Sequence, residues 1–375
     1  VQIERHFTEK ADIAQRDCDF LHLSKDKSIM LQDERTARNA PIPLHDFQPH
    51  RLAQNGHAQT VLARRTPKGL IVGQREHPIV LDCGPDATGC DPTHPVRLLG
   101  YYATAPTPGT ARGLALILHG WEGCSHSSNL MSISDTLLRA GYDVFRLNLR
   151  DHGPNIHINR YTLNKGLFLG TLIDEVARAA RQVADLARGQ PFYIVGGSMG
   201  GNFALRLALR HKREPIHNLQ GVVAICPAVN PSSVTDAIDH LPIYRRFFRA
   251  RWLRSLLAKQ DLYPDLYDFN ELRSIPTVRE MTRWLLPRYS TFATIDAYFS
   301  KYDVTRAHLD ELEVKTAIVA AVNDAVIPVS DLYALEGSPN LTLRIYRTGG
   351  HMGFVDLFPY RHWLPDEVLA LIRDL

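Results

Sequence analysis

A mainly parallel β-sheet wrapped by helices is the fold class this sequence predicts, and three observations predict it. Short apolar runs alternate with segments of helical spacing from Gly113 to the C-terminus. Several of these runs are apolar throughout, as strands buried on both faces must be. The run Tyr193–Ile194–Val195 then passes through "GGSMGG" into "NFALRLAL", a strand–turn–helix corner. Folds of this kind build their sites from the loops at the carboxyl ends of the strands.

Each element has its own signal. Residues 1–46 are polar and irregular and are expected to be an arm laid over a domain spanning 47–375. "PIVLDC" and "VRLLGYYATA" flank the turn "CGPDATGC", the pattern of an antiparallel hairpin at a sheet edge. "GLALILHG" reads as a buried strand, and "LMSISDTLLRAG" as a helix closed by its glycine. "YDVFRLNLR" is the next strand. In "TLIDEVARAARQVADLARG", Ile173, Ala177, Ala180, Ala184 and Ala187 recur at helical spacing. The corner strand and its helix follow, then the strands of "LQGVVAICPAV", "KTAIVAAVNDAVIP" and "LTLRIYRTGGHMGF". "PDEVLALIRDL" closes the chain as a helix. Between about 231 and 310 no strong strand signal occurs; helical stretches rich in aromatics and arginine predict a cap inserted over the site.

Composition narrows the function. The 375 residues are 45% apolar and 22% charged, as in ordinary soluble proteins. A net charge of +3 is too small to suggest nucleic acid as a partner. The 17 histidines include no H-E-x-x-H, so no metal is expected; His152 and His157 read as solvated loop residues. Five cysteines without a CxxC predict reduced thiols in a cytoplasmic protein; Cys83 and Cys90, which flank one turn, could pair if oxidised, and free thiols are expected. No run reaches the ~18 apolar residues of a membrane span. The charged N-terminal stretch does not read as a signal peptide.

Ser198 sits at the corner, and Gly196 and Gly200 complete G-x-S-x-G. Alone the pattern describes many small-residue turns; between a buried strand and a helix it describes a nucleophile. A serine hydroxyl needs a base in reach and an acid to orient that base. In this architecture the chain order is Ser, acid, His. Asp324 follows a late strand, and His351 lies in the glycine-bounded "TGGHMGF". Asp303 and Asp331 are rival acids, but neither lies in a strand-end loop. Acyl transfer also needs donors aimed at an oxyanion, each worth ~3 kcal/mol. The N–H of Met199, after the serine, and of Trp121, in "HGWEGCS", fit that need. His119 reads as structural, and Cys124 takes no role.

Together "HGWEG", "GGSMGG", "NDAVIP" and "GGHMGF" resemble the alpha/beta hydrolase superfamily. With "FQPHRLAQNGHAQTVLARR" (Phe47 to Arg65) they resemble its YheT-like (late-embryogenesis-associated) group. The resemblance runs from about residue 47 to the C-terminus. It implies a cofactor-free carboxylesterase or lipid hydrolase with its triad on Ser198, Asp324 and His351. The chain departs from the group at "LNLRDHGPNIHINRY", where a glycine-rich "F-R-G" loop is usual.

The expected activity is hydrolysis of small-molecule esters of short-to-medium acyl groups through an acyl-enzyme. Acyl transfer by the same triad, or a non-catalytic binding protein on this scaffold, are the alternatives. The segment Tyr244–Leu257 mixes Phe247, Phe248 and Trp252 with five arginines. Tyr244, Phe248, Trp252 and Leu256 form one drifting stripe, yet the arginines do not gather opposite it. A cap whose aromatics pack over the pocket is therefore expected, rather than a helix docked on anionic lipid.

Overall fold

The computed structural model describes residues 44–45, 47–107, 109, 111–153, 164–335 and 337–375. The expected arm over 1–46 therefore lies largely outside the described residues, as do Cys18 and His157. In chain order the strands are β1 (Leu44–His45), β2 (Glu76–Asp82), β3 (Arg97–Ala103), β4 (Leu114–Leu118), β5 (Asp143–Leu147) and β6 (Phe192–Gly197). β7 (Leu219–Ile225), β8 (Lys315–Ala321), β9 (Leu341–Tyr346), β10 (Val355–Asp356) and β11 (Arg361–His362) complete them. The helices are α1 (Gly56–Leu62), α2 (Val72–Arg75), α3 (Ser128–Arg139), α4 (Ile173–Leu186), α5 (Met199–His211) and α6 (Pro231–His240). Then come α7 (Pro242–Leu262), α8 (Val278–Tyr289), α9 (Ile295–Ser300), α10 (Val329–Tyr333) and α11 (Leu364–Asp374).

Nine strands form one sheet in the order β1-β9-β8-β7-β6-β4-β5-β3-β2, with β10 and β11 as a separate pair. From β1 to β5 every neighbour is parallel. The expected edge hairpin is β2 with β3, and β3 is antiparallel both to β2 and to β5. The pairing of β1 with β9 has no counterpart in the sequence reading: the end of the arm becomes an edge strand.

The innermost strands β4 and β6 are buried along their whole length and carry no charged residue, because both faces are covered. Every residue of β4 is buried. On one face, Val176 and Val183 of α4 and Phe203 and Leu207 of α5 pack on Leu116 and Ile194. On the other, Ile133 and Leu137 of α3 and Val368 and Ile372 of α11 pack on Ile117 and Val195. Each such side chain contributes roughly 1.5–3 kcal/mol by leaving water. Buried charge is paired: Arg150, just past β5, meets Glu175 of α4 at 2.5 Å and Asp86 of the hairpin turn at 2.7 Å. Removing one partner of such a group costs roughly 3–5 kcal/mol.

Between β7 and β8 the described chain is helical or irregular, with α6 to α9 lying over the stretch where a cap is expected. Asn230 and Thr277 cap α6 and α8 by accepting the N–H of Ser233 and of Glu280. Pro242 opens α7 at a position where its missing N–H is not needed.

Candidate active site

The strand order reverses between β4 and β6. β5 lies to one side of β4 and β6 to the other, which opens a crevice at their carboxyl ends. Ser198 stands at the end of β6, held at φ 55°, ψ −117°. That backbone is strained for a non-glycine residue and persists only where its surroundings fix it. Here the Ser198 N–H donates to Ile225 O at 2.8 Å, and its carbonyl accepts from Asn202 and Ala228. The flanking glycines are required by contact. A Cβ on Gly196 would stand 2.1 Å from Gly200 O, and one on Gly200 would stand 2.3 Å from Leu118 O.

Two late loops converge on this hydroxyl. His351, after β9, places Nε2 at 3.0 Å from Ser198 Oγ and Nδ1 at 2.9 Å from Asp324 Oδ2. Asp324, after β8, is buried; its Oδ1 accepts the N–H of Val326 at 2.7 Å and of Ile327 at 3.0 Å. A carboxylate held by three bonds leaves the imidazole one tautomer, with the proton on Nδ1 and Nε2 free to accept from serine. The rival acids are committed elsewhere: Asp303 caps a short turn through Thr305, and Asp331 accepts from Ser233.

The turn after β4 lies against the serine: a Cβ on Gly120 would stand 3.1 Å from Ser198 Cβ. Met199, first residue of α5, adjoins the serine on its other side. Neither the Trp121 nor the Met199 N–H has a hydrogen-bond partner among the described residues. Trp121 is held from α7, stacked on Phe248 (centroids 5.6 Å apart) and edge-on to Trp252 (5.3 Å). Next to it, the Glu122 carbonyl accepts from Arg251 at 2.6 Å, and its carboxylate accepts from Ser255 at 2.8 Å. The α7 residues Phe248, Arg251, Trp252 and Ser255 thus all bear on this one turn. Sequence reading found the aromatics of α7 but not this attachment.

Between the helices α6 to α9 and the sheet's loops lies a cavity of about 100 Å³ whose lining includes Trp121, Met199, Ile238, Trp252, Leu256 and Leu285. Its wall is less uniformly apolar than expected, since Asp151, His152 and Lys259 also line it. These polar groups are engaged within the wall. Lys259 Nζ donates to Asp151 at 2.8 Å and to the carbonyls of Asn164 and Gly166, each at 2.7 Å.

His152 corrects an expectation. Rather than being solvated, it is buried, with Nδ1–H donating to Arg150 O and Nε2 accepting the Glu122 N–H. Its covering partners, Phe168 and His119, come from outside its own loop. The described cysteines Cys83, Cys90, Cys124 and Cys226 are all free thiols.

As a metal-ligand set, Cys226, Asp324 and His351 have donor atoms within 4.8 Å of one another. The set suits a metal poorly. Burial pushes the Cys226 thiol well above its ordinary range, with Asp324 adding to the effect, so no thiolate is offered. Asp324 and His351 are bonded to each other.

His119, fully buried, donates from Nδ1 to Gly120 O at 2.8 Å and accepts the Leu149 N–H at Nε2. Burial, and then the nearby His152, push its imidazole from 6.5 down to about 3. The unfolded chain therefore binds a proton below 6.5 that the folded chain refuses until about 3. The stability gained from the neutral ring is complete above 6.5 and is lost as pH falls through that window, at about 1.4 kcal/mol per unit. Urea midpoints are expected to fall steadily from about pH 7 to about pH 5. Constant midpoints over that range would contradict this.

The alpha/beta hydrolase fold model matches residues 115–356, well over half of the chain. The chain belongs to the alpha/beta hydrolase fold family. Among solved structures, this alpha/beta hydrolase is similar to an esterase of Pyrococcus furiosus, with TM-score 0.49 and 13% identity over 90% of this chain and 98% of that one. A hyperthermophilic esterase of Pyrobaculum calidifontis gives 0.47 and 18%, covering 84% and 88%. A ferulic acid-bound protein of Butyrivibrio proteoclasticus gives 0.46 and 14%, covering 76% and 97%. No curated protein sequence matches this hydrolase. No helix among its described residues is long and apolar enough to cross a membrane.

Proposed function

We propose that this chain is a serine carboxylester hydrolase acting through Ser198, His351 and Asp324. One observation carries the reading: the unbroken run of bonds from Ser198 Oγ to His351 Nε2, and from His351 Nδ1 to Asp324 Oδ2. As Ser198 Oγ attacks the ester carbonyl, His351 Nε2 takes its proton, and Asp324 stabilises the imidazolium. The tetrahedral oxyanion is met by the N–H groups of Trp121 and Met199. On collapse, the leaving alcohol takes the proton from His351. Water, activated by the same nitrogen, then cleaves the acyl-enzyme, with no cofactor required. Within the family, the "NGHAQT" stretch supports membership of the YheT-like group, and the free thiols fit a cytoplasmic protein.

The cavity beside Met199 is the acyl site in this reading. Its Lys259–Asp151 pair is internally neutral, and Glu122 adds a negative group to the wall. Neutral short-to-medium aliphatic acyl groups fit such a pocket, and acyl groups ending in a carboxylate do not. A p-nitrophenyl ester series of rising acyl length, with hemisuccinate as the charged control, tests this. The wild type is expected to prefer neutral chains. Trp252→Ala, which removes cavity wall, is expected to shift the optimum to longer chains with little change on acetate. Phe248→Ala, which withdraws the ring stacked on Trp121, is expected to slow all chain lengths alike. Equal rates on hemisuccinate, or an unshifted optimum in Trp252→Ala, would count against the acyl-site assignment.

A further inference from the structure

The stretch Gln54–Thr60 ("QNGHAQT") takes no part in the chemistry above, yet it packs on the loops that carry His351 and Asp324. Thr60 Oγ1 accepts the backbone N–H of His351 itself at 2.9 Å and donates to Gly56 O at 2.8 Å. Gln59 is fully buried. Its Nε2 donates to Ala53 O at 2.5 Å and Val355 O at 2.8 Å, while Oε1 accepts the Val355 N–H at 2.7 Å. Asn323, beside Asp324, accepts the Gly350 N–H at 2.9 Å and donates to Gln54 O at 3.0 Å. The backbones meet closely. A Cβ on Gly56 would stand 2.0 Å from Asn323 O, and one on Gly350, where φ is +55°, would stand 2.2 Å from Gly56 O. His57 Nδ1 lies 3.0 Å from the hydroxyl of Tyr244 on α7, which joins this segment to the cap.

We infer that residues 54–60 form a positioning clamp that fixes the His351 loop in register with the Asp324 loop. This rests on the catalytic reading of Ser198, His351 and Asp324. His351 must present one ring nitrogen to Asp324 and the other to Ser198 at once, from a loop containing Gly349, Gly350 and Gly353. Glycines give that loop more conformations than the reaction tolerates. A misplacement of about 1 Å costs on the order of 10²-fold in rate. The clamp removes that freedom by holding the amides of His351 and Val355 directly, and that of Gly350 through Asn323, whose side chain is tied to Gln54 O. Thr60 is the positioning residue nearest the base, and its hydroxyl is the group that acts.

Thr60→Val keeps the shape and removes the hydroxyl; Thr60→Ser keeps the hydroxyl. Thr60→Val is expected to lower kcat about tenfold, the scale of one lost hydrogen bond, with KM within about twofold. Thr60→Ser is expected to retain kcat within about twofold of wild type. Rates are taken per active site titrated with a fluorophosphonate, so a loss of folded protein does not register as a loss of kcat. Normal kcat in Thr60→Val, or equal damage in Thr60→Ser, would overturn the clamp. Should Thr60→Val not fold, Asn323→Ala, which releases the Gly350 N–H, is read against the same expectation of a fall in kcat at constant KM. Labelling of wild-type Ser198 tests the catalytic reading separately, so the two ideas fail by different results.

Discussion

Asp324→Asn is expected to fold normally and to lower kcat by on the order of 10⁴, the loss seen when the acid of a Ser-His-Asp triad becomes an amide. The change is isosteric, and an amide oxygen in the place of Oδ1 still accepts from Val326 and Ile327. Its NH₂ would then face His351 Nδ1, where the carboxylate now accepts. Two donors do not pair, so the ring moves its proton to Nε2. That nitrogen now lies 3.0 Å from Ser198 Oγ as an acceptor; carrying a proton, it is unable to take another. Melting temperature and kcat measured together check this. Near-normal kcat would move the acid elsewhere, with Asp303 and Asp331 the next residues to substitute.

Ser198→Ala and His351→Ala are each expected to remove activity by about 10⁶-fold, and the double variant to lose little more. The two side chains act on one proton in one step. Once either is gone the other has nothing to accept or give. What remains is the contribution of the donors at Trp121 and Met199 and of substrate binding. Single-turnover rates on a p-nitrophenyl ester measure all three variants. Losses that multiply in the double variant would mean that Ser198 and His351 work independently.

The sequence exposed the candidate site more clearly than the packing around it, for physical reasons. The serine turn needs Gly196 and Gly200 because neighbouring backbone leaves no room for a Cβ, and that demand is written in residue types. Asp324 could be placed because it follows the buried strand β8, and His351 because its glycine-bounded loop follows the last strand of the sheet, β9. His152 looked solvated because its neighbours in sequence are Asp and Gly, while its cover comes from Phe168 and the turn after β4. Lys259 gave no sign of burial, since lysine is almost never buried unless paired and its partners lie about a hundred residues away. Helix α7 did not separate into two faces on paper because it is contacted from several sides. Tyr244 meets His57, Arg249 bonds the carbonyls of Ile275 and Arg273, and Arg251 bonds the carbonyl of Glu122. Its solvent stripe is narrow, running through Arg246, Ala250 and Arg254. The resemblance singled out "NGHAQT" without a reason for it. The reason lies in contacts with Asn323, Gly350 and His351, nearly 300 residues further on.

The most direct measurement of the central claim is covalent. A fluorophosphonate carrying a reporter group, incubated with the wild type and followed by peptide mapping, reads which residue acts as the nucleophile. The expected result is one label per chain on Ser198, abolished in Ser198→Ala and slowed strongly in Asp324→Asn. Labelling at another residue, or hydrolysis that continues while Ser198 remains unlabelled, would contradict the account.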